Sequence, residues 1–237
     1  MHELALYSQI PTTRHTQVLQ ILSGVTASQP TETLEQTLIY QQLRLPDSGT
    51  SKKAPNRNTT AQPLRLTYHK LVRDLKEPSG DKTPWTFRSE DVPSPGVQNL
   101  IMRSVIETFI TDADLERFRQ GQVWYKYINQ FLAHPAHRFI HGNIIIRVSR
   151  LLSVPEGTGA LEPLDAPVPT LDDCKPVDPS GSFMFEAVVR VEDGGNSKLV
   201  EMATKELLAF KKMVEGVVDL RVPERLSLDS RVKVKGT

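Results

Sequence analysis

His134, His137 and His141 stand three and four residues apart, a spacing at which imidazoles can share a metal ion. On a strand, residues 134 and 137 point to opposite faces. No cysteine or carboxylate lies nearby in sequence to complete a closed tetrahedral set. The three are therefore expected to be turn and rim histidines. Paired acids are the next chemistry to look for. A barrel of antiparallel strands can hydrolyse polyphosphates when alternate carboxylates hold a divalent metal and inward lysines and arginines hold the phosphates. No Glu-x-Glu pair occurs in the strand-like segments. Asp112 and Asp114 alternate, but they follow Thr111 at a helix start, where acids cap and suit the dipole. Glu186 and Arg190 flank the apolar face of a strand and are expected to lie on its solvated side.

Other reactive centres fare no better. Asp193-Gly194-Gly195-Asn196 precedes a helix and could cradle an anion, yet neither the phosphate-loop nor the dinucleotide pattern follows it. A turn feeding a capped helix is the expectation. There is no Gly-x-Ser-x-Gly. The single cysteine, Cys174, sits beside Asp172 and Asp173, which should raise its pKa and blunt it as a nucleophile. Trp124, Tyr125, Tyr127 and Phe131 could stack bases, but only Lys126 interrupts them, so core and rim is the simpler reading.

The elements that must carry these residues are mostly strands. Glu3 to Ile10 puts Leu4, Leu6 and Ile10 on one face. Pro11 ends it, Thr12 or Thr13 can cap a helix with the stripe Val18, Leu19, Ile21, Leu22 and Val25, and Gly24 and Pro30 mark that helix's end. Leu34–Leu45, Leu64–Leu75, Trp85–Arg88 and Gln98–Ile110 read as strands, and a short helix after Thr111 carries Leu115 and Phe118. An aromatic strand from Val123 is expected to break at His134-Pro135. Phe139–Val154 reads as a hairpin about Gly142-Asn143. From Phe183 the apolar residues Phe183, Phe185, Ala187, Val189 and Val191 alternate. A helix follows, with Leu199, Ala203, Leu207, Phe210 and Val214 on one face, a cap at Asn196 or Ser197, and a stop at Gly216. Val217, Val218 and Leu220 are expected to begin a further strand ended by Pro223. Both ends of the chain thus present a strand followed by an amphipathic helix, a hint that both cover one sheet.

Two polar stretches interrupt the pattern. Pro46–Pro63 is rich in Ser, Thr, Asn and Pro. Its Lys52, Lys53 and Arg57 could be read as a nuclear-import signal, but a solvated loop is the plainer reading. Pro155–Ser180 is proline-rich and acidic. The expectation is a single barrel domain over residues 1–237, with loop insertions at about 46–63 and 155–180, because the segment after the second loop is too small to bury its own faces. The fold class is α+β: roughly eight or nine antiparallel strands closed into a barrel or split into a sandwich, with flanking helices.

Composition sets outer bounds. The chain has 237 residues, 38% hydrophobic and 24% charged, with 29 basic against 28 acidic side chains. A net charge of +1 supplies no global field toward nucleic acid or an anionic membrane. A single cysteine precludes an intrachain disulfide and fits a reducing compartment. The start lacks the basic and apolar runs of a signal peptide, and no window reaches the apolar length of a membrane-spanning helix. A protein inside the cell is expected.

With these residues in view, the chain resembles the family of subunit 18 of the Mediator of RNA polymerase II transcription, in its filamentous-fungal form. The opening His2-Glu3-Leu4-Ala5-Leu6-Tyr7-Ser8-Gln9-Ile10-Pro11 and the helix to Gly24 are similar to that family's first strand and helix. Trp85-Thr86-Phe87-Arg88 with Asp91-Val92-Pro93 resembles its Trp-x-Phe-Arg segment. Trp124–Leu152 resembles its central strands. The fullest match is Asp178-Pro179-Ser180-Gly181, then Val191-Glu192-Asp193-Gly194-Gly195-Asn196, then Glu224-Arg225-Leu226-Ser227-Leu228-Asp229-Ser230-Arg231. The resemblance implies a multistranded antiparallel barrel with flanking helices and a place in the nuclear Mediator head module. It implies pairing with subunit 20 and receipt of a helix from the C-terminal part of subunit 8. The family is non-enzymatic, so no catalytic, cofactor-binding or metal residues carry over, and the resemblance places no contact residues. Its fold is related to that of the fungal RNA triphosphatase. The implied function is that of a coactivator subunit bridging regulators and RNA polymerase II through protein contacts. The alternative is a triphosphate-tunnel-type phosphohydrolase or a small-ligand-binding barrel. A groove between the barrel and the long C-terminal helix would suit an amphipathic partner helix.

Overall fold

The computed structural model describes residues 1–43, 66–76, 83–97, 99–120, 123–155 and 163–232. The polar stretch Pro46–Pro63, with Lys52, Lys53 and Arg57, lies outside the described residues, as does part of the acidic loop. Nine strands and three α-helices are described, in the order β1 (His2–Ile10), α1 (His15–Thr26), β2 (Thr31–Gln42), β3 (Tyr68–Asp74), β4 (Thr86–Glu90), β5 (Ile101–Phe109), α2 (Asp112–Arg119), β6 (Tyr125–His141), β7 (Ile144–Ser153), β8 (Lys175–Pro176), β9 (Phe183–Val191) and α3 (Ser197–Met213). The strands pair in the order β6-β2-β3-β4-β5-β1-β9-β7, and β6 pairs again with β7. Eight antiparallel strands therefore close on themselves, which leaves no long unpaired edge. The two-residue β8 extends the free side of β7 at Leu152 and Ser153, where β9 has already left it.

The two ends of the chain meet. β1 pairs with β9 along its whole length, from His2 opposite Val191 to Ile10 opposite Phe183. α3 packs on that pair, and α1 lies beside it over β6, with His15 stacked on Phe183. Val18 and Leu22 of α1, and Ala203, Leu207 and Phe210 of α3, join Leu4, Leu6, Phe185 and Ala187 in the main core. Leu207 and Phe210 are almost wholly buried, each contributing about 1.5–3 kcal/mol. α2 covers a second cluster, where Leu115 and Phe118 meet Leu38, Tyr40, Leu71 and Trp85. A helix about 10 Å across cannot sit inside so small a barrel. The face bearing the helices is therefore the outside, and the alternate residues line the axis.

Local sequence explains the helix ends. The Asn196 side chain accepts from the Lys198 and Leu199 amides, and Thr111 accepts from Asp114, as caps should. Glu201 and Lys205 pair at 2.7 Å. α1 departs from expectation at both ends. A 3-10 turn, Thr12–Arg14, precedes it without a side-chain cap, and it passes through Gly24 to close at Ala27 in the left-handed region, φ 51°. Gly194 is needed for close approach, since a Cβ there would collide with the His2 imidazole.

Three further expectations are corrected. His134-Pro135 does not break the aromatic strand: β6 runs for 17 residues. A register shift between Ala133 and Ala136 takes up the extra residue, and a bulge tolerates a proline that cannot donate. Val217–Leu220 forms no strand. Val218 and Leu220 are buried against the core, and only Arg221 makes a bridge, to Tyr7. Glu186 and Arg190 do not lie on a solvated outer face, because the helices occupy that side and both residues face the axis. Strand bounds also differ by a few residues, β2 beginning at Thr31 and β3 at Tyr68. No described helix is long and apolar enough to cross a membrane.

Candidate functional site

The barrel axis is the place to test for chemistry. Register fixes which side chains face it. Glu3 lies opposite Arg103 of β5 on one side and Arg190 of β9 on the other. Arg88 lies opposite Glu107 and Lys70. These residues form one ion network. Arg88 donates through Nη2 to Glu3 at 2.5 Å, through Nε to Glu90 at 2.6 Å and through Nη1 to Glu107 at 2.6 Å. Arg103 and Lys70 both reach Glu90 Oε2, at 2.8 and 2.9 Å. Arg190 holds Glu107 at 3.0 Å and approaches Glu3 at 3.2 Å. Glu3 is 2% exposed, Arg103 6% and Glu90 8%.

Burial alone would push the carboxyl of Glu90 up, but Lys70, Arg103 and Arg88 outweigh it and lower the pKa to about 2. Glu3 is shifted down in the same way, chiefly by its bond to Arg88. Arg88 is correspondingly held more firmly in its charged form. Each of the three glutamates is engaged by at least two cations. Their lone pairs point at guanidinium and ammonium groups, so the arrangement is a neutralised cross-brace. Sequence reasoning missed it. In the sequence, alternation suggests a wet outer face only for Glu186 and Arg190 and says nothing of the other members. The signal that could have found it is the presence of three amphipathic helices, which must claim the outside and turn the charged face inward.

The residues singled out by chemistry are dispersed. His137 is buried and its ring lies 5.2 Å from that of His15, at the start of α1. His141 packs instead on Phe210 of α3, at 5.9 Å. Among the described residues no group of three His, Cys, Asp or Glu converges as a metal site. Cys174 donates to the Thr170 carbonyl at 3.4 Å. Burial, then Asp173, raises its pKa. At the Asp193–Asn196 turn the Gly195 amide is taken by Asp193 and the Lys198 and Leu199 amides by Asn196, leaving that helix start poorly furnished for an anion. In the aromatic stripe, Tyr125 stacks on Phe118 at 4.2 Å and packs against the second core cluster.

The outer surface offers more. A groove of about 680 Å³ runs along the last turn of α3, walled by Leu208, Lys211, Lys212, Val218 and Val222. A second, of about 460 Å³, lies between β1 and the strand of chain after α3, with Arg14, Val18, Val217 and Arg221 on its walls. Leu199, Met202 and Met213 of α3 are exposed apolar residues. Glu206 of the same helix reaches the hairpin tip, where it accepts from the Asn143 amide and side chain, both at 2.9 Å.

Comparison with known proteins gives a consistent picture. A family model described as Med18 protein matches residues 2–231. Mediator of RNA polymerase II transcription subunit 18 of Neosartorya fischeri is 24% identical over 272 residues, covering 98% of this chain and all of the relative. The protein of the same name in Coccidioides immitis is 26% identical over 273 residues, again with 98% of this chain and all of the relative covered. Among solved structures, a chain of the Schizosaccharomyces pombe Mediator head module superposes with a TM-score of 0.69 at 17% identity, covering 94% of this chain and 98% of that one. A Pyrococcus horikoshii OT3 protein superposes with a TM-score of 0.50 at 13% identity, over 95% and 97% of the two chains. At these identities the structural likenesses speak to the fold.

Proposed function

We infer, from the premise that this chain belongs to the Med18 protein family, that it is a non-enzymatic subunit of the Mediator coactivator, bridging regulators and RNA polymerase II through protein contacts. The observation that carries this conclusion is the extent of the family match, residues 2–231. It runs through the barrel, both flanking helices and the closing segment. The interior supports the same conclusion. A tunnel enzyme needs carboxylates free to hold a metal and cations free to hold phosphate, whereas here Glu3, Glu90 and Glu107 are spent on Arg88, Arg103, Arg190 and Lys70.

The work of such a subunit lies on its outside. By resemblance, its partners are Mediator subunit 20 and a helix from the C-terminal part of subunit 8, and its location is the nucleus. The groove at the last turn of α3 is our choice for an amphipathic helix. It combines apolar walls at Leu208, Val218 and Val222 with Lys211 and Lys212 at the rim, the mixture such helices use. Affinity purification of the tagged chain from its own cells, followed by mass spectrometry, tests the proposal. Recovery of head-module subunits, with 20 and 8 among them, is expected. A pull-down devoid of transcription proteins would refute it, as would metal-dependent phosphate release from a nucleoside triphosphate by the purified chain.

A further inference from the structure

The barrel axis is layered. Next to the charged layer of Glu3, Arg103 and Arg190, two residues along each strand, stands an apolar layer of Ala5, Ile101 and Val188. β5 begins at Ile101, so this layer lies at one mouth of the barrel. The chain after α3 comes to this mouth. Arg221 exchanges two backbone hydrogen bonds with Tyr7, at 3.0 and 2.8 Å, on the side of β1 that β5 has vacated beyond Ala5. Val222 and Leu228 then pack on the Ala5, Ile101 and Val188 cluster. Arg225 donates to the Pro93 carbonyl at 3.1 Å. Ser230 receives the Tyr68 amide at 2.8 Å and Val232 donates to Leu66 at 2.9 Å, along β3 before β4 has joined it.

Leu220 is 1% exposed, but none of residues 221–232 is buried. The grip on this segment consists of backbone pairing at two strand edges, Val222 and Leu228 on a small apolar cup, and side-chain bonds from Arg225 to the Pro93 carbonyl and from Ser230 to the Glu90 carbonyl. The pairing at its two ends is how a sheet edge takes up a peptide ligand. The grooves of about 460 and 680 Å³ flank its point of entry.

We propose that residues 221–232 are a resident peptide ligand of the barrel's own mouth, replaceable in trans, that closes the axis over the charged layer. The class of ligand the mouth accepts is therefore a peptide whose two ends pair with strand edges and whose middle is a 3-10 turn, Arg225–Leu228 here, that presents a leucine.

Access to the axis tests this. In the full chain with Cys174→Ser, a Val188→Cys probe reports the mouth and a separate Leu207→Cys probe reports the outer core. A small neutral thiol reagent should label the first slowly. Leu228→Asp, or deletion of residues 221–237, should speed labelling at position 188 at least tenfold and leave position 207 protected. A synthetic peptide of residues 221–232 should then restore protection to the deleted chain, and a Leu228→Asp version of that peptide should not. Unchanged labelling at 188 in the Leu228→Asp chain overturns the proposal. So does equal acceleration at both probes, which would make the segment an ordinary part of the global fold, or failure of the peptide to protect a deleted chain whose position 207 stays closed.

Discussion

Arg88 of β4 reaches across β5 to Glu3 of β1, with Nη2 2.5 Å from Oε2. The two residues are 85 positions apart and sit on strands that are not neighbours. The same guanidinium holds Glu90 and Glu107, so one side chain ties three strands across the axis.

Removing that tie should be severe. Arg88→Met leaves three carboxylates short of a partner, with Glu3 and Glu90 almost fully buried. A loss of about 3–5 kcal/mol is expected, the usual result of breaking a buried ion pair by deleting one partner. Urea unfolding of wild type and variant measures it. A change below about 1 kcal/mol would show that the network is wet and loosely coupled.

Acid should undo the same network. Glu90 titrates near 2 in the folded protein, against 4.5 as its ordinary value. A depressed folded pKa means its stabilisation is complete above about pH 4.5 and drains away as pH falls from there toward 2. Glu3 is shifted the same way and should steepen the loss. Stability measured from pH 7 to 2 should therefore bend downward below about 5, and Glu90→Gln should be destabilised at neutral pH and show a shallower slope. A slope identical to wild type would remove Glu90 from the account.

Helix ends provide a pair of opposite sign. Asn196→Ala deletes the cap of α3 and should cost about 1 kcal/mol. Ala27→Gly relieves a residue at φ 51° and should stabilise by a few tenths to about 1 kcal/mol. Thermal melts of both variants decide the signs, and a stabilising Asn196→Ala would contradict the observed bonds to the Lys198 and Leu199 amides.

The hairpin tip gives a local prediction. Glu206→Ala releases the Asn143 amide and side chain. Both groups are exposed, so global stability should fall by no more than about 1 kcal/mol. Amide exchange at Gly142 and Asn143 should nevertheless quicken, and unchanged exchange there would mean that the helix does not brace the turn.

The extent to which the sequence foretold this molecule depends on the kind of signal. Where apolar residues alternate, as in Phe183–Val191, or recur at helical spacing, as in Ala203–Leu207–Phe210, both the element and its buried face were legible. The hairpin at Gly142-Asn143 was equally clear, since glycine there adopts φ +58°. Arg190 was misread because alternation says which residues share a face, and only closure says which face is inside. His134-Pro135 was misread because a bulge is a property of two strands together. Val217–Leu220 had the apolar run of a strand, but Val218 and Leu220 turn into the helix-packed core and only Arg221 reaches the open stretch of β1. The ion network was illegible for a further reason: its members come from β1, β3, β4, β5 and β9, and no local pattern links them.

The pairing of β1 with β9 has a consequence for synthesis. β1 leaves the ribosome long before its full-length neighbour, β9. Loop closure of that span is the slow kind of contact. Until β9 and α3 have been made, Leu4 and Leu6 have neither to cover them, and a nascent chain in that condition is a substrate for chaperones. A product that stops before Phe183 lacks the strand that joins β1 to β7 and cannot close the barrel.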